Sequence, residues 1–354
     1  MAASEFEVSV IIPNYNYQDY VGAAIDSALA LDWPKVQIIV VDDGSSDHSR
    51  EVIERYRGRV DILYREHAGQ IQADNAGFAR SSGEVVIFLD ADDLVEPALI
   101  RELAAVWRAG VSKVQFQMRI IDAAGDPLGS VLPQYYRVPG PEQIRDWNRR
   151  SGTYPTPPGS GNAYAREFLQ RIFPLDPAID QAADSFCLSA APLLGDVLTV
   201  AKPLVSYRIH GRNLGAMAEL EPTRFSRQVA RALRRFSYAS GVAAAAGCPM
   251  DPCAFDRALS VLPARLVSLR LATATHPIAG DTRRRVLGCV LRAIWIPQGF
   301  SPLGRATLLL WALLVASAPL TWCERLVRWR FIPAARPRLL RQVLGWLRIA
   351  RRPG

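Results

Sequence analysis

Four apolar runs, each halted by polar residues, recur through the first 120 residues and leave few folds open. Val8–Ile12 ends at Pro13, Val36–Val41 at Asp42-Asp43-Gly44-Ser45, Val60–Tyr64 at Arg65, and Val85–Leu89 at Asp90. A strand with apolar residues on both of its faces has no side to give to water, so each must be covered on both sides. Between the runs, apolar residues recur at helical spacing: Val21, Ile25, Ala28 and Leu29 behind Asp19 as a cap, then Val52, Ile53 and Tyr56 within 47–57, then 70–79. Pro97 opens a further helix to about Arg108, since proline suits a first helical turn. The alternation predicts an α/β fold, a mostly parallel sheet flanked by helices. Ligands of such sheets bind beyond the carboxyl ends of the strands. Pro13-Asn14-Tyr15-Asn16, Asp42–Ser45 and Asp90–Asp93 all fall there, which predicts one shared site.

Downstream, 125–160 is rich in Gly, Pro and Tyr and predicts a mobile excursion over the sheet. Next come a predicted helix over Ala165–Ile172, a polar stretch at Asp180–Leu188 and an extended segment, Leu198–Ile209, running into His210. From Pro222 the pattern is helical. The chain is therefore read as an α/β domain over 1–215, a helical extension over 216–300 and a basic, apolar tail over 301–354.

A net charge of +8 would suit nucleic acid if it were spread along the chain. It is not. From Ser301 onward there are ten arginines, no lysine and one acid, Glu324, while the first 300 residues are nearly balanced. No nucleic-acid partner is expected. The five cysteines form no two ligand pairs, and Cys248 and Cys253 flank a Pro-Met-Asp-Pro turn without a neighbouring histidine, which argues against zinc. An odd number of scattered thiols suits a reducing compartment. The first residues lack a basic segment followed by an apolar stretch, so no secretory signal is expected.

Asp90-Ala91-Asp92, directly after a buried strand, sets two carboxylates where an oxygen-seeking cation could bridge them and a diphosphate. Alone, such a motif is more often a solvated turn. A third acid at Asp93 and a second acidic strand end at Asp42-Asp43 change that, because crowded carboxylates repel unless a cation compensates them.

Three segments carry a resemblance: Val8-Ser9-Val10-Ile11-Ile12-Pro13-Asn14-Tyr15-Asn16, Val40-Val41-Asp42-Asp43-Gly44-Ser45-Ser46-Asp47 and Ile87-Phe88-Leu89-Asp90-Ala91-Asp92-Asp93. In this order and spacing they resemble glycosyltransferase family 2, a family of inverting enzymes with the GT-A fold. Gly69-Gln70, Asn75-Ala76-Gly77 and Gly83-Glu84 are similar to that family too, and the resemblance covers residues 6–213. It implies that Pro13 and Tyr15 border a nucleotide base and that Asp43 hydrogen-bonds it. It places Asp90 against ribose and metal, and makes Asp92 the principal protein ligand of Mn²⁺ or Mg²⁺. The family's catalytic base sits in a downstream acidic pair. The matching place here is Ala183-Asp184, so Asp184 is the candidate base and Asp180 its local rival. Tyr207-Arg208-Ile209-His210 is also family-like, and His210 would complete the metal shell. Asp74 stands where the family often has a phosphate-meeting arginine, with His67 a candidate substitute. The implied reaction moves one sugar from a nucleotide-diphosphate sugar, a UDP-sugar in the first instance, to a hydroxyl of a glycan or lipid-linked acceptor. Cell-surface polysaccharide synthesis is the expected setting.

Ala306–Trp322 is a 17-residue uncharged stretch between Arg305 and Arg325. At about 1.5 Å per residue it falls short of the roughly 30 Å that a membrane span needs, and Pro319 interrupts it. Beyond it, Leu339, Leu340, Val343, Leu344 and Leu347 alternate with arginines as in a basic amphipathic helix on an anionic surface. Peripheral or monotopic attachment to the membrane surface through this tail is expected, on the cytoplasmic inner face of the cell membrane. Arg325-Leu326-Val327-Arg328-Trp329 is similar to a signature of processive synthases, but it lies about 140 residues after Asp184, so single-sugar addition is expected. Among alternatives, a glycoside hydrolase needs an acid and a base or nucleophile flanking one bond. A sugar nucleotidyltransferase would carry a basic, Gly-rich loop where Pro13–Asn16 stands. A different class of reading is a catalytically inactive, membrane-associated nucleotide-sugar-binding or scaffolding protein, prompted by Ala183 and Asp74.

Overall fold

In the computed structural model the four apolar runs are the strands β1 (Val8–Asn14), β2 (Val36–Asp42), β3 (Asp61–Tyr64) and β4 (Val85–Phe88). They are parallel and lie in the order β3-β2-β1-β4. The structure describes residues 6–180, 182–210, 219–332 and 335–337. Two units are separated by packing: Met1–His210 with Arg234–Ala254, and Gly211–Leu233 with Phe255–Gly354.

In the first unit the period of two explains why the strands carry apolar residues on both faces. Val8, Val10 and Ile12 pack in one buried cluster with helices Val21–Leu29 and Leu99–Ala104. Ile11, Val86 and Phe88 pack in another with Ala73, Cys187 and Ala190. Each such side chain contributes about 1.5–3 kcal/mol when fully buried. Helix Gln70–Arg80 lies so close to β1 that a Cβ on Gly77 would meet Ile11 Cγ2 at 2.3 Å, and only glycine fits there. Register brings Asn14 level with Asp42 and Ile11 level with Phe88, so Asp90 reaches the same sheet edge.

Several helices differ from the sequence expectation. The first has Tyr20, not Asp19, at its N-cap, with no side-chain cap bond. The helix expected from Pro97 to Arg108 is Leu99–Ala104 only.

The sheet continues through β5 (Leu94–Val95), β6 (Val111–Ile121), β7 (Pro127–Leu132), β8 (Asn162–Ala165) and β9 (Asp196–Arg208), in the order β4-β8-β6-β9-β5 with β7 beside β6. The expected excursion over 125–160 is ordered instead: β7 pairs with β6, and a helix spans Pro141–Ser151. Pro141 in its first turn and Gly152 at φ +65° fix its ends. The helix expected over Ala165–Ile172 is reduced to Arg166–Leu169: Ala165 is taken into β8, antiparallel to both β4 and β6, and 170–172 form a turn.

In the second unit, helices Leu262–Leu271, Arg283–Ala293, Pro302–Ser317 and Leu320–Phe331 enclose Phe225, Leu266, Val290, Leu308, Val315 and Val327. The uncharged stretch 306–322 is not one rod: the first helix stops at Ser317 and the next starts after Pro319. Among the described residues no helix is long and apolar enough to cross a membrane. The basic amphipathic stretch expected from Leu339 to Arg352 lies outside the described residues.

Candidate active site

The end of β2 is a built turn. Asp42 accepts from Asn14 Nδ2 (3.0 Å), the Ser45 N–H (3.2 Å) and Arg50 Nε (2.8 Å), which makes it a turn stabiliser. Asn16, at φ +60°, accepts the Ser46 N–H (2.8 Å) and Asp47 N–H (3.2 Å) on its Oδ1. Gly44, at φ +78°, lets this turn approach the His67 backbone, where a Cβ would come within 2.6 Å. Asp43 is buried and accepts the Ala68 N–H (3.1 Å) and Gly69 N–H (2.8 Å), with His67 Nδ1 at 2.9 Å. The Tyr15 ring stacks on His67 at 3.9 Å and remains 40% exposed, a flat wall open to a planar ligand. Pro13, the last residue but one of β1, lies level with Val41.

The end of β4 is the acidic edge. Carboxylate oxygens of Asp90, Asp92 and Asp93 lie within 4.8 Å of one another. Gln70 Nε2 donates to Asp90 Oδ1 (3.3 Å), and the Asp90 N–H donates to Ser160 Oγ (3.1 Å). The end of β9 holds the other two acids: the Arg208 N–H donates to Asp93 Oδ1 (3.0 Å), and Arg208 Nε donates to the Asp92 carbonyl (2.9 Å). His210 Nε2 lies 2.9 Å from Asp92 Oδ2, its ring stacked on Tyr20 at 4.9 Å. Burial, then the charges of Asp92 and Asp184, push the Asp90 carboxyl up to about 7. Burial, then Asp90 and Asp92, raise Asp93 as well. Asp93 Oδ2 is buried without a hydrogen-bond partner. Crowded hard oxygens with an unanswered lone pair fit a divalent cation such as Mn²⁺ or Mg²⁺.

Asp184 lies in the first turn of helix Ala183–Leu194 and accepts from Ser185 Oγ (3.2 Å). Gly159 stands between it and the acidic edge: a Cβ there would lie 3.6 Å from Asp90 Oδ2 and 3.7 Å from Asp184 Cβ. Asp180 is instead paired with Arg235 Nε at 2.7 Å. Ala183, where a first acid was expected by resemblance, is buried with Ile71, Leu175 and Phe186, a place unsuited to a charge. Asp74 is buried one helical turn beyond Gln70 with its Oδ1 unpartnered, and burial, then Asp90 and Asp184, raises its pKa.

Two supports carried no sequence signal beyond a polar residue in a strand of mixed polarity or in a Pro-rich loop. Ser160 is one. Lys113, fully buried in β6, is the other; its Nζ donates to Gln115 Oε1 (3.0 Å), Thr156 Oγ1 (2.8 Å) and Asn162 Oδ1 (2.9 Å). Asn162 Nδ2 in turn donates to the carbonyls of Pro158 (2.8 Å) and Gly159 (3.0 Å), which holds the loop between the two acids.

This sheet and its acid-lined edge define a glycosyltransferase domain of the GT-A class. Residues 9–173 match the profile described as Glycosyl transferase family 2, and the chain belongs to that family. An uncharacterized glycosyltransferase of Nostoc sp. is 37% identical over 217 residues, 58% of this chain and 66% of the relative. Seven further curated relatives are matched over 14% to 33% of their length. Among solved structures, Staphylococcus aureus TarS in complex with UDP-GlcNAc aligns at a TM-score of 0.53 and 15% identity, over 92% of this chain and 91% of that one. The mannosyltransferase PcManGT from Pyrobaculum calidifontis, in complex with GDP-Man and Mn²⁺, aligns at 0.50 and 18% identity, over 94% and 86%. At these identities the likeness speaks for the fold alone.

Proposed function

We propose that the protein is a metal-dependent inverting glycosyltransferase that moves one sugar from a nucleotide-diphosphate sugar to an acceptor hydroxyl. The observation that carries this reading is the meeting of Asp90 and Asp184 on either side of Gly159. It sets a candidate base beside an acidic edge fit for a cation. Asp92, His210, Asp90 and Asp93 are the residues to hold Mn²⁺ or Mg²⁺; bound there, the cation supplies positive charge for the diphosphate leaving group. Tyr15 and Pro13 border the base, and Asp43 retains lone pairs to accept from its edge. Asp184 takes the proton of the acceptor hydroxyl as that oxygen bonds to the anomeric carbon. The bond from that carbon to the diphosphate oxygen breaks with its electron pair, and a single displacement inverts the centre.

A UDP-sugar is the first donor to test. TarS is solved with UDP-GlcNAc, and PcManGT with GDP-Man and Mn²⁺. The acceptor in this reading is a glycan or lipid-linked hydroxyl in cell-surface polysaccharide synthesis, met at the inner face of the cell membrane. The arginine-rich C-terminal end supports that setting.

Asp184→Asn tests the assignment. Transfer is expected to fall by about 10²–10⁴-fold while UDP and Mn²⁺ binding stay unchanged. An unaltered transfer rate removes Asp184 from the role of base. A second reading, a nucleotide-sugar-binding protein without turnover, is favoured by Ala183 and the uncompensated Asp74. Binding of UDP with Mn²⁺, without turnover of any donor in a panel of nucleotide sugars and acceptors, is its signature.

A further inference from the structure

Helix Pro302–Ser317 is apolar on both of its sides. Leu308, Ala312, Val315 and Ala316 are buried in the core of the helical unit. On the other side Leu303 (46% exposed), Leu310 (59%), Leu313 (43%) and Leu314 (44%) are open, with only Ala306, Thr307 and Ser317 between them. These positions follow the helical repeat, and none is charged. A helix whose outer side faces water carries its charges there. The next helix adds Leu320 (58%) and Trp322 (50%). Trp295, 80% exposed, adjoins Ile294, whose carbonyl accepts from Arg305.

The charge around this face is mainly positive, with Glu324 beside Arg325 an acid at its margin. Between Thr282 and Cys323 there are five arginines and no acid. Arg325 lies over the Trp322 ring at 5.0 Å. Exposed leucines, edge tryptophans and a predominantly basic, arginine-rich border are the features of a surface that lies in the headgroup layer of an anionic bilayer. A second copy of the chain would bring two arginine-rich borders together, and like charges repel.

We propose that this face, centred on Leu310, Leu313 and Leu314, is the surface by which the protein lies on anionic lipid. The proposal rests on the membrane attachment put forward above and assigns it to the two described helices rather than to residues 338–354.

The test uses the full-length protein, co-sedimented with vesicles of phosphatidylcholine alone or of phosphatidylcholine with phosphatidylglycerol. Wild type is expected to sediment with the anionic vesicles and to be released by high salt. The triple variant Leu310→Gln, Leu313→Gln, Leu314→Gln is expected to bind them about tenfold more weakly or worse, since the apolar area that would enter the lipid is lost. Its melting temperature and UDP binding should match wild type, because the three side chains are exposed. If the triple variant does not fold, Leu310→Gln and Leu314→Gln singly carry the test with smaller losses. Undiminished vesicle binding by the variants overturns the face while leaving membrane attachment elsewhere in the chain. Failure of wild type to bind either vesicle sinks both proposals. A wild-type dimer that the variants render monomeric makes a second copy the occupant and also overturns it.

Discussion

Buried acids are treated in opposite ways at the acidic sheet edge of the first unit and in the helical unit. In the helical unit Arg265, 1% exposed, grips both oxygens of Asp281 through Nε and Nη2, and Asp256 through Nη1. His276 adds its Nε2 to Asp281 at 3.1 Å and sets its Nδ1 2.9 Å from Ser268 Oγ. Burial works to raise the Asp281 pKa, yet Arg265 and then His276 hold it below the ordinary carboxylate value. At the sheet edge the acids are crowded and left short of cations. Arg208 gives Nε and Nη1 to the carbonyls of Asp92 and Ala123, and both Asp74 and Asp93 keep a buried oxygen without a partner. The first arrangement gives each buried charge a partner within the chain. The second keeps its acids available for positive charge from outside the chain, as a site for a cation and a diphosphate requires.

The contrast breaks most visibly on the paired side. Asp281→Ala leaves Arg265 buried with half its partners and is expected to cost about 3–5 kcal/mol, read from denaturant unfolding. A cost below about 1 kcal/mol would show the pair to be incidental.

The unpaired side is sharpened by pH. The folded protein keeps a proton on Asp90 up to about 7, whereas the unfolded chain releases it near 3.8. The cation-free protein therefore loses stability as pH rises from about 4 to about 7, the window in which the native state binds more protons. Mn²⁺ must displace that proton, so its affinity is expected to rise about tenfold per pH unit up to about 7 and then to level. Titration calorimetry with Mn²⁺ across this range is the measurement, and a flat profile separates Asp90 from the cation.

The smallest effect is expected at Asp74. Asp74→Asn removes a buried, uncompensated acid while keeping its shape, and should raise cation-free stability by about 1 kcal/mol in thermal unfolding. Destabilisation would show that Asp74 has a partner that holds its charge.

Much of this edge was legible beforehand. Val85–Leu89 is apolar at every position, and Val8–Ile12 and Val36–Val41 are so but for Ser9 and Gln37, a pattern that suits a doubly covered strand, and parallel pairing then forces Asn14, Asp42 and Asp90 to one edge. The arrival of His210 on Asp92, 118 residues away, was legible only through resemblance. Asn162–Ala165 read as the approach to a helix, because a four-residue strand with two alanines has little local β-preference, and its hydrogen bonds to β4 and β6 decided otherwise. Lys113 gave no warning of its role, since a lysine among the alternating polar and apolar residues of β6 reads as a residue reaching for solvent. Its acceptors on Gln115, Thr156 and Asn162 come together only when β6, β8 and the Pro155–Gly161 loop are folded.

By itself, then, the sequence determined the parallel core and the acids at its edge, because those follow from periodicity and from where apolar runs stop. Tertiary structure decided which of those acids are answered. Asp42 became part of a turn and Asp180 was neutralised by Arg235, while Asp90 and Asp93 were left crowded. The physical reason is that the charge state of a carboxylate depends on its burial and on cations within a few ångströms, and the chain brings both from residues far away in sequence.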